Sequence, residues 1–178
     1  MTNRARNIAV MGSVVVAAVL AVLWAVNRPV DPPLADGTTA DFILVEKSAH
    51  RMTLYAGGQE FRSYRVSLGR GGIAPKQREG DRLVPEGRYH IDARNPASAY
   101  HLSLKISYPD AADQAAAATR GESAGSNIMI HGIRNGLGWL GRAHLLVDWT
   151  AGCVAVTNSE MEEIWRVVPD GAEIEIRP

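Results

Sequence analysis

Residues 41–46 read DFILVE and residues 51–55 read RMTLY, and these two stretches decide what kind of fold the chain makes. The first is apolar and β-branched. The second alternates polar with apolar side chains, the period-two pattern of a strand with one face buried. Residues 47–50 between them suit a hairpin connection, and Gly57-Gly58 supplies the next turn. Residues 61–68 (FRSYRVSL) alternate again and end at the Gly-rich 69–72. Pro85-Glu86-Gly87 reads as a turn into a strand over 88–93, and residues 100–108 (YHLSLKISY) alternate once more.

Beyond that point the texture changes. Residues 110–120 are rich in alanine and predict a helix just after Pro109, whereas 127–130 (NIMI) read as a short buried strand running into His131-Gly132. Residues 142–147 predict another short helix. Asn158 is a candidate N-cap for a helix over 159–168, with Met161, Ile164, Trp165 and Val168 on one face. Pro169-Asp170-Gly171 stops it, and 172–176 form a closing strand. The expected fold is mostly β with a few short helices, in a single domain.

Outward from this domain, the N-terminus differs sharply. Arg4 and Arg6 precede an uncharged run, 8–26, long enough to cross a hydrocarbon core as a helix. The arginines favour a cytoplasmic N-terminus and an exported remainder. A cleaved signal peptide is the competing reading, although 25–27 (AVN) match a cleavage site poorly. Residues 28–40 hold Pro29, Pro32, Pro33 and Gly37 and read as a semi-extended tether. The expected organisation is an inner-membrane anchor or signal over 1–27, a linker over 28–40 and a periplasmic or envelope domain over 41–178. Nineteen basic residues balance nineteen acidic ones, so no electrostatic footprint for nucleic acid exists. One cysteine and scattered histidines do not make a zinc site, and no metal or cofactor is implied.

That cysteine, Cys153, sits in DWTAGCVAV (148–156). A thiol attacks well only as thiolate and needs a base or a positive field nearby. Of His50, His90, His101, His131 and His144, His131 stands out because it ends a buried strand and precedes a glycine; His144 is the runner-up base. Gly152 lets the backbone turn tightly, so the Gly152 and Cys153 amides could face an oxyanion. Spacing alone leaves open a buried, inert cysteine beside a turn histidine.

The order of these pieces resembles the L,D-transpeptidase (YkuD-like) family. His131-Gly132, a loop, then Thr150-x-Gly152-Cys153 matches its catalytic segment, and GDRLVPEGRY (80–89) is similar to its stretch ending in Thr-Pro-Glu-Gly, with Val84 for the Thr. YHLSLKISYP (100–109) resembles a segment of one branch, and the likeness covers roughly 41–176. It implies a β-sandwich or barrel, with Cys153 as nucleophile, His131 as base and the Gly132 carbonyl orienting the imidazole. It also implies action on peptidoglycan stem peptides: a thioester forms with loss of D-alanine and is resolved by an amine, as in cross-linking or protein attachment, or by water. Arg134, Trp149 and Thr150 are candidate substrate contacts, and Trp139 flanks the same cleft. Two positions depart from the commonest pattern, Ala151 for His and Ala155 for Arg, which removes a donor fork for carboxylates. An amidase using the same pair, or a non-catalytic envelope-binding domain, are the alternatives. An activated pair predicts a thiol titrating below the free-cysteine value of about 8.5.

Overall fold

The structure is a computed structural model; it describes the backbone of residues 3–27 and 32–178 and the side chains of 10–24, 27 and 32–178. Its strands are β1 (Phe42–Glu46), β2 (Arg51–Ala56), β3 (Gln59–Arg65), β4 (Gly87–Ser98), β5 (His101–Ile106), β6 (Met129–His131), β7 (Val154–Ala155) and β8 (Glu173–Arg177). The helices are α1 (Asn3–Val26), α2 (Ala111–Ala118) and α3 (Asn158–Val167), with a 3-10 segment, Gly138–Leu146, kinked at Gly141.

The strands form one mixed sheet in the order β3-β2-β1-β8-β4-β5-β6-β7. The hairpins expected at 41–55 and beyond are antiparallel, Ile43 facing Leu54 and Met52 facing Tyr64. The closing strand does more than cap the fold: β8 lies between β1, to which it is parallel, and the first half of β4. β4 runs well past the expected 88–93. Irregularities after Ile91 and Asn95 bend it, so that Gly87–His90 pair with β8 while the remainder pairs with β5. The sheet then closes on itself. Residues 66–70 continue from β3 and exchange backbone hydrogen bonds between Ser67 and Ala155 (2.9 and 2.8 Å), while Thr150 N–H donates to Leu68 O (3.0 Å). The two ends of the strand order are thus joined, which removes the free edges, and of the two expected shapes the barrel-like one is formed.

Alternation puts Ile43, Val45, Met52, Leu54, Ile91, Leu104, Ile130, Ile174 and Ile176 in the interior, each essentially without solvent exposure. α3 covers this core with Met161, Ile164 and Val167. Its N-cap is Thr157 rather than Asn158: the Thr157 hydroxyl accepts from the Glu160 amide, and Glu160 reaches back to the Thr157 amide. Trp165 is only partly buried, and Val168 serves as the C-cap. The predicted alanine helix exists as α2, capped by Asp110 and Asp113.

Lys47, placed by sequence in a polar hairpin connection, is wholly buried. Its ammonium donates to Ala74 O, Val84 O and Glu86 Oε1, at 3.0, 3.2 and 2.7 Å. This ties the long connection 66–86 to the barrel and offsets the cost of burying the charge. At the N-terminus, α1 has the helical conformation expected of 8–26, and its described apolar side chains, such as Val14 and Leu20, are exposed. Among the described residues, however, no helix is long and apolar enough to cross a membrane. The side chains of 1–9 and 25–26, and residues 28–31, lie outside the described residues, Arg4, Arg6 and Pro29 among them.

Candidate active site

β6 and β7 are short and parallel, Ile130 facing Val154 and His131 facing Ala155. Ile130 and Val154 point into the core and are fully buried. Side chains alternate along a strand, so Cys153, just before β7, stands on the same sheet face as His131, diagonally across the pair. The two residues singled out by motif are therefore brought together by strand register.

Gly132 is fixed by sterics. A methyl group built there would lie 2.8 Å from Asn158 Oδ1 and 3.1 Å from both Tyr100 O and His101 Cβ. Its amide donates to Tyr100 O (3.1 Å) at the tip of the β4–β5 hairpin, and Asn158 Oδ1 accepts from Ile133 N–H (2.8 Å). The expected cap residue therefore holds the loop that carries the base. The imidazole Nδ1 lies 2.6 Å from Gly132 O. A carbonyl only accepts, so Nδ1 carries the proton and Nε2 is left with its lone pair. The Tyr100 ring lies 4.7 Å and the Trp149 ring 5.6 Å from the imidazole, centroid to centroid. His131 is 4% exposed, and burial lowers its pKa below the ordinary imidazole range, against the pull of the Gly132 carbonyl.

Each residue of the Asp148-Trp149-Thr150 triplet has a separate structural task. Asp148 accepts from Leu68 N–H through Oδ1 (2.7 Å) and meets His50 Nε2 through Oδ2 (2.9 Å), fastening the nucleophile loop to the closing segment 66–70. Trp149 Nε1–H donates to His144 Nδ1 (3.1 Å). That bond sets His144 as the Nε2–H tautomer, and among the described residues Nε2 has no partner. Burial, with His131 nearby, pushes the His144 pKa down to about 4. The runner-up base is thus a prop for the indole that covers His131.

Thr150 is 3% exposed, and its hydroxyl is fully engaged within the turn. Oγ1 donates to Cys153 O (2.8 Å) and accepts from the Gly152 and Cys153 amides (3.1 and 3.0 Å). In this structure the Gly152 and Cys153 N–H groups, expected to face an oxyanion, donate to Thr150 Oγ1, and Thr150, expected to touch substrate, shapes the turn that carries Cys153. Gly152 has φ +125°, and a methyl group there would lie 2.7 Å from Leu83 O. The turn is therefore packed directly under the 82–83 backbone.

Cys153 is partly exposed, and Sγ–H donates to Asn127 O (3.6 Å) rather than to the imidazole. Burial raises the thiol pKa, while the Met129 amide and the Lys76 charge pull it back down. Burial thus acts on the thiol against the depression expected of an activated pair. Lys76 itself is held by Asp81 Oδ1 (2.8 Å). Arg134 is exposed on the loop after His131, and Trp139 is 63% exposed on the 3-10 segment. Ala151 is exposed and Ala155 fully buried. Tyr100 and Lys76 were not singled out by sequence reasoning as parts of the site, and His144 was read there only as the runner-up base. The only hint was the YHLSLKISY segment, which begins at Tyr100. Among the described residues no group of histidine, cysteine and carboxylate side chains could hold a metal ion.

Comparison with known proteins converges on one family. Residues 40–176 match the YkuD model, the L,D-transpeptidase catalytic domain. YafK of Escherichia coli strain K12, which carries a provisional L,D-transpeptidase assignment, is 30% identical over 133 residues, or 71% of this chain and 46% of YafK. Among solved structures, the helical cell shape determining protein Pgp2 of Campylobacter jejuni superposes with a TM-score of 0.60 at 22% identity. That match covers 87% of this chain and 53% of Pgp2. Bd1075 of Bdellovibrio bacteriovorus gives 0.54 at 23% identity, covering 82% of this chain and 50% of that one. The chain thus spans about half the length of the relatives it matches.

Proposed function

The chain belongs to the L,D-transpeptidase catalytic-domain family, and from that premise we propose that it transfers a peptidoglycan stem-peptide acyl group through a Cys153 thioester. The observation that carries this reading is the β6–β7 register. It sets Cys153 diagonally opposite a His131 whose free Nε2 is fixed by the Nδ1–H bond to Gly132 O.

In the proposed reaction, Nε2 takes the Sγ proton as sulfur attacks the scissile amide carbon, forming the C–S bond and a tetrahedral oxyanion. Collapse breaks the C–N bond, and the imidazolium returns its proton to the departing amine. An acceptor amine then attacks the thioester carbon, loses its proton to Nε2, and expels the thiolate, which is reprotonated. His131 acts as general base, a role worth about 10²–10⁴-fold.

Envelope localisation belongs to the same proposal, since the substrate lies there, and α1 with its exposed apolar side chains would tether the domain. Fractionation of cells expressing the full chain checks it; recovery in the cytosol would argue against it. The chemistry is tested by incubating the protein with a tetrapeptide muropeptide and recording intact mass. An adduct on Cys153 of the donor's mass less the departing D-alanine, absent from Cys153→Ala, is expected. The products identify the acceptor: cross-linked dimers mean an amine, shortened stems mean water. A Cys153→Ala protein that still processes the donor would remove the thiol from the mechanism.

A further inference from the structure

Among the described residues, the basic side chains are almost all paired with carboxylates: Lys47 with Glu86, Lys76 with Asp81, Lys105 with Asp92, and most arginines likewise. Arg65, Arg70, Arg82 and Arg134 are the ones without such a partner. Two of these four lie side by side against the nucleophile's turn. Gly71 N–H donates to Arg82 O (3.0 Å), and a methyl group on Gly69 would sit 2.1 Å from that same oxygen, so the backbones around Arg70 and Arg82 touch. Both segments then rest on the Cys153 turn. Arg70 N–H donates to Thr150 O (3.0 Å), a methyl group on Gly69 would lie 3.1 Å from Gly152 Cα, and Leu83 O fills the space a side chain at 152 would need.

Both side chains are exposed, and the acids nearby are already spent. Asp81 accepts from Lys76 and Leu83 N–H at one oxygen and from the Gln77 and Arg78 amides at the other. Asp148 is used by Leu68 N–H and His50. Glu79 lies against Gly125 and bonds to neither arginine. Arg82 also has φ +61°, a left-handed conformation that a residue other than glycine adopts at some cost. Two exposed arginines without a carboxylate partner, on adjoining backbones beside the Cys153 turn, can receive an anion, and planar guanidinium groups match a carboxylate's two oxygens.

Resting on the acyl-transfer reading above, we infer that Arg70 and Arg82 form the subsite that binds a carboxylate of the donor stem peptide, the fork that Ala155 does not provide. Ala155 is fully buried between Ser67 and His131. The anion contact has thus moved from the strand after the nucleophile to the strap that covers the turn before it.

The test measures binding apart from turnover. Full-length Cys153→Ala protein is titrated with a stem tetrapeptide and with the same peptide after amidation of its carboxyl groups. The expected result is a preference for the free acid that weakens with added salt. It should fall about tenfold in Arg70→Gln and in Arg82→Gly, the second of which also relieves the left-handed backbone. Arg65→Gln, whose backbone pairs with Arg51 of β2, should bind as the parent does. Equal binding of acid and amide by the parent, or an acid preference unchanged in both variants, would overturn the inference. Wild-type turnover of the same peptide judges the function separately. Turnover with undiminished variant binding sinks only the subsite; variant-sensitive binding without turnover upholds the subsite and sinks acyl transfer.

Discussion

The two ends of the strand order are built differently. From β3 to β8 in that order, strands of five to seven residues are held by backbone bonds and by buried apolar side chains. At the other end, β6 has three residues and β7 two, too few to hold themselves in place. There the backbone is positioned by polar side chains: Asp148 and Asn158 reach across the fold to Leu68 and Ile133, and Thr150 binds Gly152 and Cys153 within its own turn. Burial holds the scaffold and directed hydrogen bonds hold the site. The first tolerates conservative apolar exchange, whereas the second depends on single atoms.

This contrast predicts that stability and activity separate. The largest effect is on activity alone: Cys153→Ala should cost at least about a thousandfold in turnover of a muropeptide donor. Its urea midpoint should stay close to wild type; a large stability loss would mean that the thiol helps to hold the turn. Next, Leu54→Ala at a fully buried scaffold position should destabilise by about 2–5 kcal/mol in urea unfolding, while turnover by the remaining folded protein stays near normal. Loss of turnover beyond the unfolded fraction would break the separation.

A third effect is pH-dependent. His144 titrates near 4 when folded, against about 6.5 unfolded, so its neutral form is the stabilising one. That contribution is complete above about pH 6.5 and is lost as pH falls toward 4, roughly 3 kcal/mol in all. Urea midpoints measured from pH 7 to 4 should fall less steeply in His144→Gln. Some slope persists, because His131 is depressed in the same direction. Identical slopes in the two proteins would remove His144 from the account. The smallest effect is Thr150→Val, which keeps the shape but leaves the Gly152 and Cys153 amides without their acceptor, at about 1–3 kcal/mol. Donor acylation of Cys153, read by mass, should slow more than stability alone explains. A normal rate would mean that the glycine and the 82–83 strap suffice to set the turn.

The same contrast governs what could be read from sequence. β1, β2 and β8 were legible nearly to the residue because alternation is written locally. The bend in β4 was not, because it is imposed by two different neighbours, β8 and β5. β7 is too short for any period to register. In the site, Cys153 and His131-Gly132 were visible as a motif, but the reach of their supports was not. Asn158 looked like a cap, Thr150 like a substrate contact and Lys47 like a surface residue. Asn158 and Lys47 have their partners on segments distant in the chain, and composition carries no trace of such pairings; Thr150 folds back on its own turn, which period and composition do not mark. The bonds of the Gly152 and Cys153 amides to Thr150 were hidden for a related reason: glycine beside cysteine tells that a turn exists, not where its amides point.

The position of β8 has a further consequence, for synthesis. It is the last of the eight strands to be made, yet it separates β1 from β4 in the finished wall. A nascent chain that still lacks Glu173–Arg177 holds two partial sheets, β1–β3 and β4–β7, with an open slot between them. Ordering of the whole barrel therefore waits on the final strand, and contacts between distant segments form late. Cys153 and His131 thus belong to a sheet whose closure awaits the last strand made.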